Sequence, residues 1–235
     1  NTVFAYFCIY CLGLSATVAA NMLSLSLIGL VVTIVAGFGM VKYGPKFLYE
    51  VGYGLMLLML VGYYLIFQLH VTNHVILILF FISLFYQIGR ATLEFTPWNV
   101  FPFIPDLDEI VTKRRRAGVF AAVMSFTRKS TVAVATIAVG FILDSNGFAK
   151  NAASQSPQAQ HAIAAILLFG TGGLIILALL EALTFKLNKQ THQIVLEEIT
   201  RLRNGGKKAD VEPKVAQTVT DLTGVPYDKV WPDDK

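Results

Sequence analysis

Charged residues are scarce in this sequence. Only 14% of its 235 residues are charged and 55% are hydrophobic, whereas a soluble domain carries about 25% charged residues. The deficit is uneven, because long stretches between Val3 and Phe185 have almost no charge and the segment after Phe185 is rich in it. This distribution excludes an ordinary soluble domain and predicts an all-α membrane protein with a soluble tail.

Residues that carry enzymatic chemistry are few and scattered. The two cysteines, Cys8 and Cys11, have CxxC spacing but lie in an apolar helical run, which favours buried thiols over a redox motif. No HExxH, Gly-x-Ser-x-Gly or phosphate-loop motif occurs. The histidines are spread along the chain, at His70, His74, His161 and His192. We therefore expect no catalytic residues, no metal site and no cofactor.

Long apolar runs fill most of the chain. A membrane-spanning helix needs about 20 predominantly apolar residues. Five blocks reach that length and the first does not; in order they cover residues 2–12, 19–41, 47–68, 74–101, 117–143 and 161–185. Because the chain begins with Asn1 inside apolar sequence, we expect a fragment whose first block is the end of a truncated helix.

Basic residues alternate between the connections of these blocks. The loop 42–46, the segment 106–116 and the tail are basic, whereas the connections 69–73 and 144–160 contain a single Lys or Arg between them. The positive-inside rule therefore predicts that the basic connections and the C-terminus are cytoplasmic. The net charge of +4 follows from this topology, so no nucleic-acid partner is expected.

The chain divides into a membrane bundle, residues 1–186, and a cytoplasmic tail, residues 187–235. Within the tail, residues 189–204 place apolar side chains near helical spacing, which predicts a short amphipathic helix ended by Gly205 and Gly206. The segment beyond Gly206 is polar and contains three prolines, which predicts a disordered end.

Lys129 is an ionisable residue deep inside a predicted span. Arg116 is about 20 Å away along a helix, and Asp144 is similarly distant in the other direction. The lysine side chain reaches neither surface, so its ammonium must meet a carboxylate, water or substrate inside the protein. A structural ion pair with another helix is the other interpretation. Arg128 points about 100° away on the same helix, and Ser125 lies one turn before Lys129.

The block 74–101 contains further polar residues. Arg90 and Glu94 are four positions apart on one helix face, where they either neutralise each other or line a polar cavity. Pro97 breaks the helix locally, which is tolerated at depth where the helix lines a cavity. Trp98 is either an interface anchor or a platform for the apolar C–H face of a sugar.

Three segments together carry a family resemblance. They are Pro105-Asp106-Leu107-Asp108-Glu109, Arg115-Arg116-Ala117-Gly118 and Ser125-Phe126-Thr127-Arg128-Lys129. They resemble the acidic loop after helix ten, the Arg-x-x-Gly-like turn and the helix-eleven lysine of the glycoside–pentoside–hexuronide:cation symporter family, which includes the melibiose permease. The resemblance extends over residues 1–200. The sequence departs from the family at Ala117, where an acidic residue is common, and at Pro102 and Pro105; Arg90 and Glu94 are not part of the motif.

The resemblance implies the C-terminal six-helix half of a major-facilitator fold, truncated within helix seven, in the bacterial inner (cytoplasmic) membrane. It implies that Lys129 lies near the cation and sugar sites, that Ser125 lies beside the cation site, and that Trp98 lies near the sugar. Arg128, Arg90 and Glu94 are further candidate binding residues. The implied gating loop contains Asp106, Asp108, Glu109, Arg115 and Arg116.

The expected function is cation-coupled symport of a sugar, glycoside or uronide by alternating access, with Na⁺ or H⁺ as the coupling ion. The expected partners are that substrate, the lipid bilayer and an N-terminal six-helix half, which in the family contains the cation-binding carboxylates. The basic side chains of Arg128 and Arg90 suit an acidic sugar. A membrane-embedded subunit or enzyme of unrelated function is the alternative.

Overall fold

The computed structural model describes residues 2–150 and 152–232, which contain helices and turns but no strand. The α-helices of this part of the chain are α1 (Thr2–Tyr6), α2 (Ala16–Ser24), α3 (Gly29–Gln68), α4 (Val75–Val100), α5 (Ile104–Thr112), α6 (Ala117–Ser145), α7 (Pro157–Ala165), α8 (Thr171–Leu183), α9 (Lys189–Arg203) and α10 (Pro213–Thr223). Short 3-10 or π turns join several of them into longer segments, at Phe7–Cys11, Leu25–Ile28, Phe101–Phe103 and Ile166–Gly170.

In the part of the chain that the structure describes, four helical segments are long and apolar enough to cross a membrane: Ala16–Gln68, Val75–Thr112, Ala117–Ser145 and Pro157–Leu183. A shorter apolar helix, Thr2–Cys11, precedes them. These segments confirm the predicted all-α membrane fold, and they cover the same apolar blocks that the sequence marks.

The first of these segments reverses direction at Gly44. A straight helix of its 53 residues would be about 80 Å long, more than twice the hydrocarbon thickness of a bilayer. Gly44 has φ 81° and ψ 173°, a conformation that glycine adopts without strain. Gly39 lies against the side chain of Leu48, which a straight helix does not allow across nine residues. The segment therefore supplies two separate spans, joined within the predicted loop 42–46.

Glycines let α3 and α4 pack closely. A Cβ at Gly89 would lie 2.8 Å from the backbone oxygen of Gly52 and 2.9 Å from the Met56 side chain. Small residues at helix contacts permit such close approach in membranes. Farther along the same pair, the hydroxyl groups of Tyr63 and Ser83 are hydrogen-bonded at 3.0 Å in the buried core. The α3–α4 pair is thus the centre of the bundle.

Helix α6 stands largely apart from this bundle. Its main neighbours are α5 and α7, and within the described residues Leu143 is its only buried residue. Large apolar side chains such as Phe126, Ile137 and Phe141 are exposed on it. Most of the surface of α6 is therefore available to lipid or to another helical bundle.

A second, smaller core joins α5 to the tail. Its buried residues are Ile110, Val195, Ile199, Val219 and Val230. The backbone N–H of Trp231 donates a hydrogen bond to the carbonyl of Ile110 at 2.9 Å, and Lys186 forms an ion pair with Asp221 at 3.4 Å. The tail is therefore attached to the segment between α4 and α6.

Two parts of the structure differ from the expectations drawn from sequence. The segment after Gly206, expected to be disordered, contains α10, because Val219 and Val230 bury their side chains against Ile110 in a distant part of the chain. The Tyr227 hydroxyl donates to the Glu198 carboxylate, and burial, together with this hydrogen bond, raises the pKa of Tyr227 to about 12.

The second difference is in the segment 106–116, which is a loop in the sequence interpretation. Its first part belongs to helix α5. Pro105 lies in the first turn of α5, where a missing N–H costs no hydrogen bond. The acidic residues of the segment are therefore held on a helix rather than on a flexible loop.

Candidate functional site

Helix α6 carries the predicted basic residues near its middle. Lys129 lies about 18 Å from the first residue of the helix at 1.5 Å per residue. Ser125 is four positions before Lys129 and Val132 is three positions after it, so the three residues share a face. The helix alone thus aligns a hydroxyl and an ammonium on one surface.

A groove of about 390 Å³ lies between this face of α6 and α4. Its lining residues are Trp98, Met124, Ser125, Arg128, Lys129 and Val132. Trp98 comes from α4 and the others come from α6. Four of the residues singled out from the sequence therefore meet at one site, although they come from two different apolar blocks.

Arg128 and Trp98 make the contact that joins the two walls of the groove. The guanidinium carbon of Arg128 lies 5.8 Å from the centroid of the Trp98 ring, within the range of a cation–π interaction. The sequence places Arg128 about 100° from Lys129 around the helix, yet both side chains line the groove. Arg128 therefore belongs to the same site as Lys129.

The groove is positively charged. None of its lining residues is acidic, and the Lys129 ammonium has no ion pair within residues 2–150 and 152–232. The groove thus presents two cations, a hydroxyl and an aromatic ring to whatever occupies it. Polyhydroxylated and anionic ligands match this set of groups.

Arg90 and Glu94 form a pair on α4. The Nε and Nη2 atoms of Arg90 donate to Oε1 of Glu94 at 3.1 and 2.9 Å. Neither residue lines the groove, but Glu94 lies one turn before Trp98 on the same face of α4. The structure thus pairs these two residues with each other and does not bring either of them into the groove lining.

Asp106 of the predicted gating segment is buried and bound by the tail. Its Oδ2 lies 2.8 Å from Nε2 of His192, whose ring stacks on Phe103 at 4.1 Å. Its Oδ1 lies 3.1 Å from an Arg115 nitrogen but has no hydrogen bond of acceptable geometry within the described chain. Asp106 therefore connects α5, the start of α6 and α9.

The other two acidic residues of this segment are also paired. Nε of Arg116 donates to Oδ2 of Asp108 at 2.9 Å, and this hydrogen bond raises the pKa of Arg116 above its ordinary value. Arg203 of α9 donates to the Glu109 carboxylate. Each acidic residue of the predicted gate thus meets a basic partner, two of which come from the tail.

The tail residues His192 and Arg203 are functional candidates that sequence reasoning did not identify. They lie 86 and 94 positions after their partners, so no local spacing relates them to α5. The amphipathic pattern of residues 189–204 predicts a helix that packs on something, but not what it packs on.

No group of three or more His, Cys, Asp or Glu residues is placed to hold a metal ion within residues 2–150 and 152–232.

Comparisons with known proteins relate this arrangement to transport. Residues 1–189 match a family model described as MFS/sugar transport protein. A protein of Synechocystis sp., described as an uncharacterized symporter, is 34% identical over 71 residues. That similarity covers 30% of this chain and spans 13% of the relative's own length.

Proposed function

The chain belongs to the MFS/sugar transport protein family, and we propose that it forms the C-terminal bundle of a cation-coupled sugar symporter. The family groups the chain with transporters rather than with enzymes, and its apolar helices make it an integral membrane protein. Family membership and the membrane location rest on these observations. The coupling cation, the substrate and the activity of the whole protein are what we propose.

The observation that carries the proposal is the groove between α4 and α6. It combines the ring of Trp98 with the cations of Arg128 and Lys129 near the middle of α6. Ionisable residues at such depth are costly unless they face a cavity or a partner. In transporters of this type, substrates bind near the membrane midplane between two bundles.

The exposed surface of α6 is evidence for a second helical bundle that packs against it. Its large apolar side chains and its basic face are both uncovered. A second bundle that packs against α6 would close the groove and bring carboxylates to it. Those carboxylates would bind Na⁺ or H⁺ and balance the Lys129 ammonium, so cation and sugar would share a coupling free energy.

The ion pairs of α5 supply the gate in this mechanism. Asp106, Asp108 and Glu109 hold the start of α6 and the tail together. Alternating access requires one bundle to rock against the other, and a movement of α6 relative to α5 would change the Arg115 and Arg116 contacts. The positive-inside distribution supports a cytoplasmic position for this gate and for the C-terminus, and the proposal locates the protein in a bacterial inner membrane.

The charge of the groove supports a particular substrate class. Two cations and no acidic lining residue favour a sugar acid, such as a uronide, over a neutral glycoside. An Arg–carboxylate contact is frequently bidentate, so Arg128→Gln should lower the affinity for a uronide and leave that for a neutral sugar nearly unchanged. Equal effects of this substitution on both sugars, or higher affinity for the neutral sugar in the unsubstituted protein, would contradict the assignment.

Uptake measurements test the function itself. Vesicles containing the chain together with its complementary bundle are given a neutral glycoside, a pentoside or a uronide under a Na⁺ gradient, an H⁺ gradient or neither. Gradient-driven accumulation of one of these sugars is expected. Lys129→Gln should reduce it about 10- to 100-fold, because a charge-assisted hydrogen bond of about 1.5–3 kcal/mol is lost.

The matched control is Lys150→Gln, which removes an exposed lysine outside the helices and should leave uptake unchanged. The same uptake by the Lys129 and Lys150 variants would exclude Lys129 from the site. Absence of gradient-driven accumulation for every sugar class would exclude cation-coupled sugar transport, and uptake by the 235 residues alone would exclude the need for a second bundle.

A further inference from the structure

A second groove lies among α3, α4 and α8, separate from the one that contains Lys129. Its volume is about 250 Å³, and its lining residues are Tyr49, Tyr53, Pro97, Ala178, Glu181, Ala182 and Phe185. The two grooves meet at successive residues of α4, because Pro97 lines this one and Trp98 lines the other. The proposed sugar site uses none of its lining residues.

Glu181 gives this groove a negative charge without a protein counterion. It lies near the end of the membrane-spanning segment Pro157–Leu183. Within residues 2–150 and 152–232, its carboxylate makes no hydrogen bond or ion pair, and only its backbone oxygen accepts hydrogen bonds, from the backbone N–H and the hydroxyl of Thr184. Lys186, the nearest cation along the chain, is paired with Asp221 at 3.4 Å. Glu181 is exposed and lies two residues before the end of this span, so a cation from the headgroup region can reach its carboxylate.

The walls of the groove are aromatic. The rings of Tyr49 and Tyr53 are nearly parallel, with centroids 6.2 Å apart and an interplanar angle of 14°. The ring of Phe185 meets Tyr49 edge-on, at 5.5 Å and 77°. Aromatic faces attract organic ammonium groups, whereas a hard metal cation needs several oxygen ligands. A single carboxylate beside three aromatic rings therefore selects an ammonium group.

The position of the groove indicates where that ammonium comes from. The membrane-spanning part of α8 ends at Leu183, and Lys46 begins the second arm of α3 close to Tyr49 in the sequence. Tyrosines and lysines concentrate at the level of lipid headgroups. Leu180 and Leu183, beside Glu181 on α8, are exposed and offer a surface to acyl chains.

We propose that this groove binds the headgroup of a phospholipid with a primary ammonium, as in phosphatidylethanolamine. The ammonium lies against the rings of Tyr49 and Tyr53 and donates hydrogen bonds to the Glu181 carboxylate. A quaternary ammonium has no N–H to donate, so an ethanolamine headgroup binds more tightly than a choline headgroup. This inference requires only that the chain is in a membrane, and it does not depend on the substrate that the chain transports.

The amount of each lipid that stays bound to the extracted protein measures this binding. The purified protein is reconstituted in nanodiscs with equal amounts of phosphatidylethanolamine, phosphatidylcholine and phosphatidylglycerol, then extracted in detergent, and the lipids that stay bound are quantified by mass spectrometry. Phosphatidylethanolamine should be enriched on the unsubstituted protein. Glu181→Gln should reduce that enrichment about five- to tenfold, because a charge-assisted hydrogen bond is replaced by a neutral one.

Matched variants separate binding from folding. Glu50→Gln makes the same chemical change on α3, outside the groove lining, and should leave the enrichment unchanged. Tyr53→Phe keeps the ring and should retain the lipid, whereas Tyr53→Leu should lose it. Thermal melting in detergent confirms that each variant is folded.

Three results would overturn the inference. They are the absence of enrichment on the unsubstituted protein, equal losses in the Glu181 and Glu50 variants, and retention by Tyr53→Leu equal to that by Tyr53→Phe. Soluble ethanolamine, added at millimolar concentration, tests the other source of an ammonium. Its binding at Glu181 without any lipid preference would exclude the lipid headgroup as the occupant.

Discussion

At the scale of single residues, the groove between α4 and α6 contains a contact between a cation and an aromatic ring. The guanidinium of Arg128 is 5.8 Å from the Trp98 ring centroid, so a sugar that stacks on this ring must displace Arg128 or bind beside it. In either case the surroundings of the indole change. Trp98 is therefore both a binding residue in the proposal and a reporter of occupancy.

Trp98 fluorescence provides the first prediction. The sequence has two tryptophans, so Trp231→Phe leaves Trp98 as the only one. A transported sugar should change the emission of this variant with a saturable dependence on concentration, because it alters the contact with Arg128. The Trp98→Phe variant retains only Trp231 in the tail core and should show no change. Identical responses of the two variants would exclude stacking at Trp98.

Several lining residues of this groove could be predicted from the sequence, because each of them carries a local signal. A lysine far from both ends of an apolar block signals a cavity. The break predicted at Pro97 is wrong, because α4 continues through Pro97 to Val100. The packing of Arg128 against Trp98 was not predictable, since it depends on how α4 and α6 approach each other. The contact between His192 and Asp106 joins residues with no sequence relation at all.

At the scale of elements, the α3–α4 pair depends on glycines at its crossing. Gly89→Ala should destabilise the bundle by about 1–3 kcal/mol, because the added methyl group overlaps the Gly52 backbone and Met56. Thermal melting in detergent, followed by circular dichroism, should show a lower midpoint. Gly54→Ala on α3 meets open space and should not lower it. Equal midpoints for the two variants would mean that the helices do not cross here.

The attachment of the tail to α5 gives another element-scale prediction. Asp106→Ala removes the partner of His192 and Arg115, leaving the half-buried histidine without its hydrogen bond. Tryptic cleavage after Arg203 should become about tenfold faster, as expected for the loss of a buried charged contact. Asp221→Ala, which breaks a surface pair with Lys186, should have a much smaller effect. The reverse order would contradict the role of Asp106.

The helical tail also shows a limit of sequence interpretation at this scale. Composition after Gly206 predicts disorder because the segment alone has too few apolar residues to form a core. Val219 and Val230 become buried only because α5 presents Ile110 to them. The helix boundaries of the membrane spans, in contrast, follow from hydropathy and from Gly44, which are local properties of the chain.

At the scale of the whole molecule, α6 is the surface on which the account depends. It is the least covered of the spanning segments, and one of its faces carries Ser125, Arg128 and Lys129. If that face lines an aqueous cleft between two bundles, the basic residues are hydrated and available to substrate. If it faces lipid, their charges have no physical explanation.

Chemical labelling in the membrane distinguishes these two cases most directly. Cysteine is placed at Lys129 or at Thr127, which lies about 200° around α6 and about 3 Å along it, in a background with Cys8→Ala and Cys11→Ala. A charged, water-soluble thiol reagent should modify position 129 at least about tenfold faster than position 127, since the thiolate forms only where water reaches it. Equal rates, or faster reaction at position 127, would contradict the aqueous cleft and with it the proposed transport site.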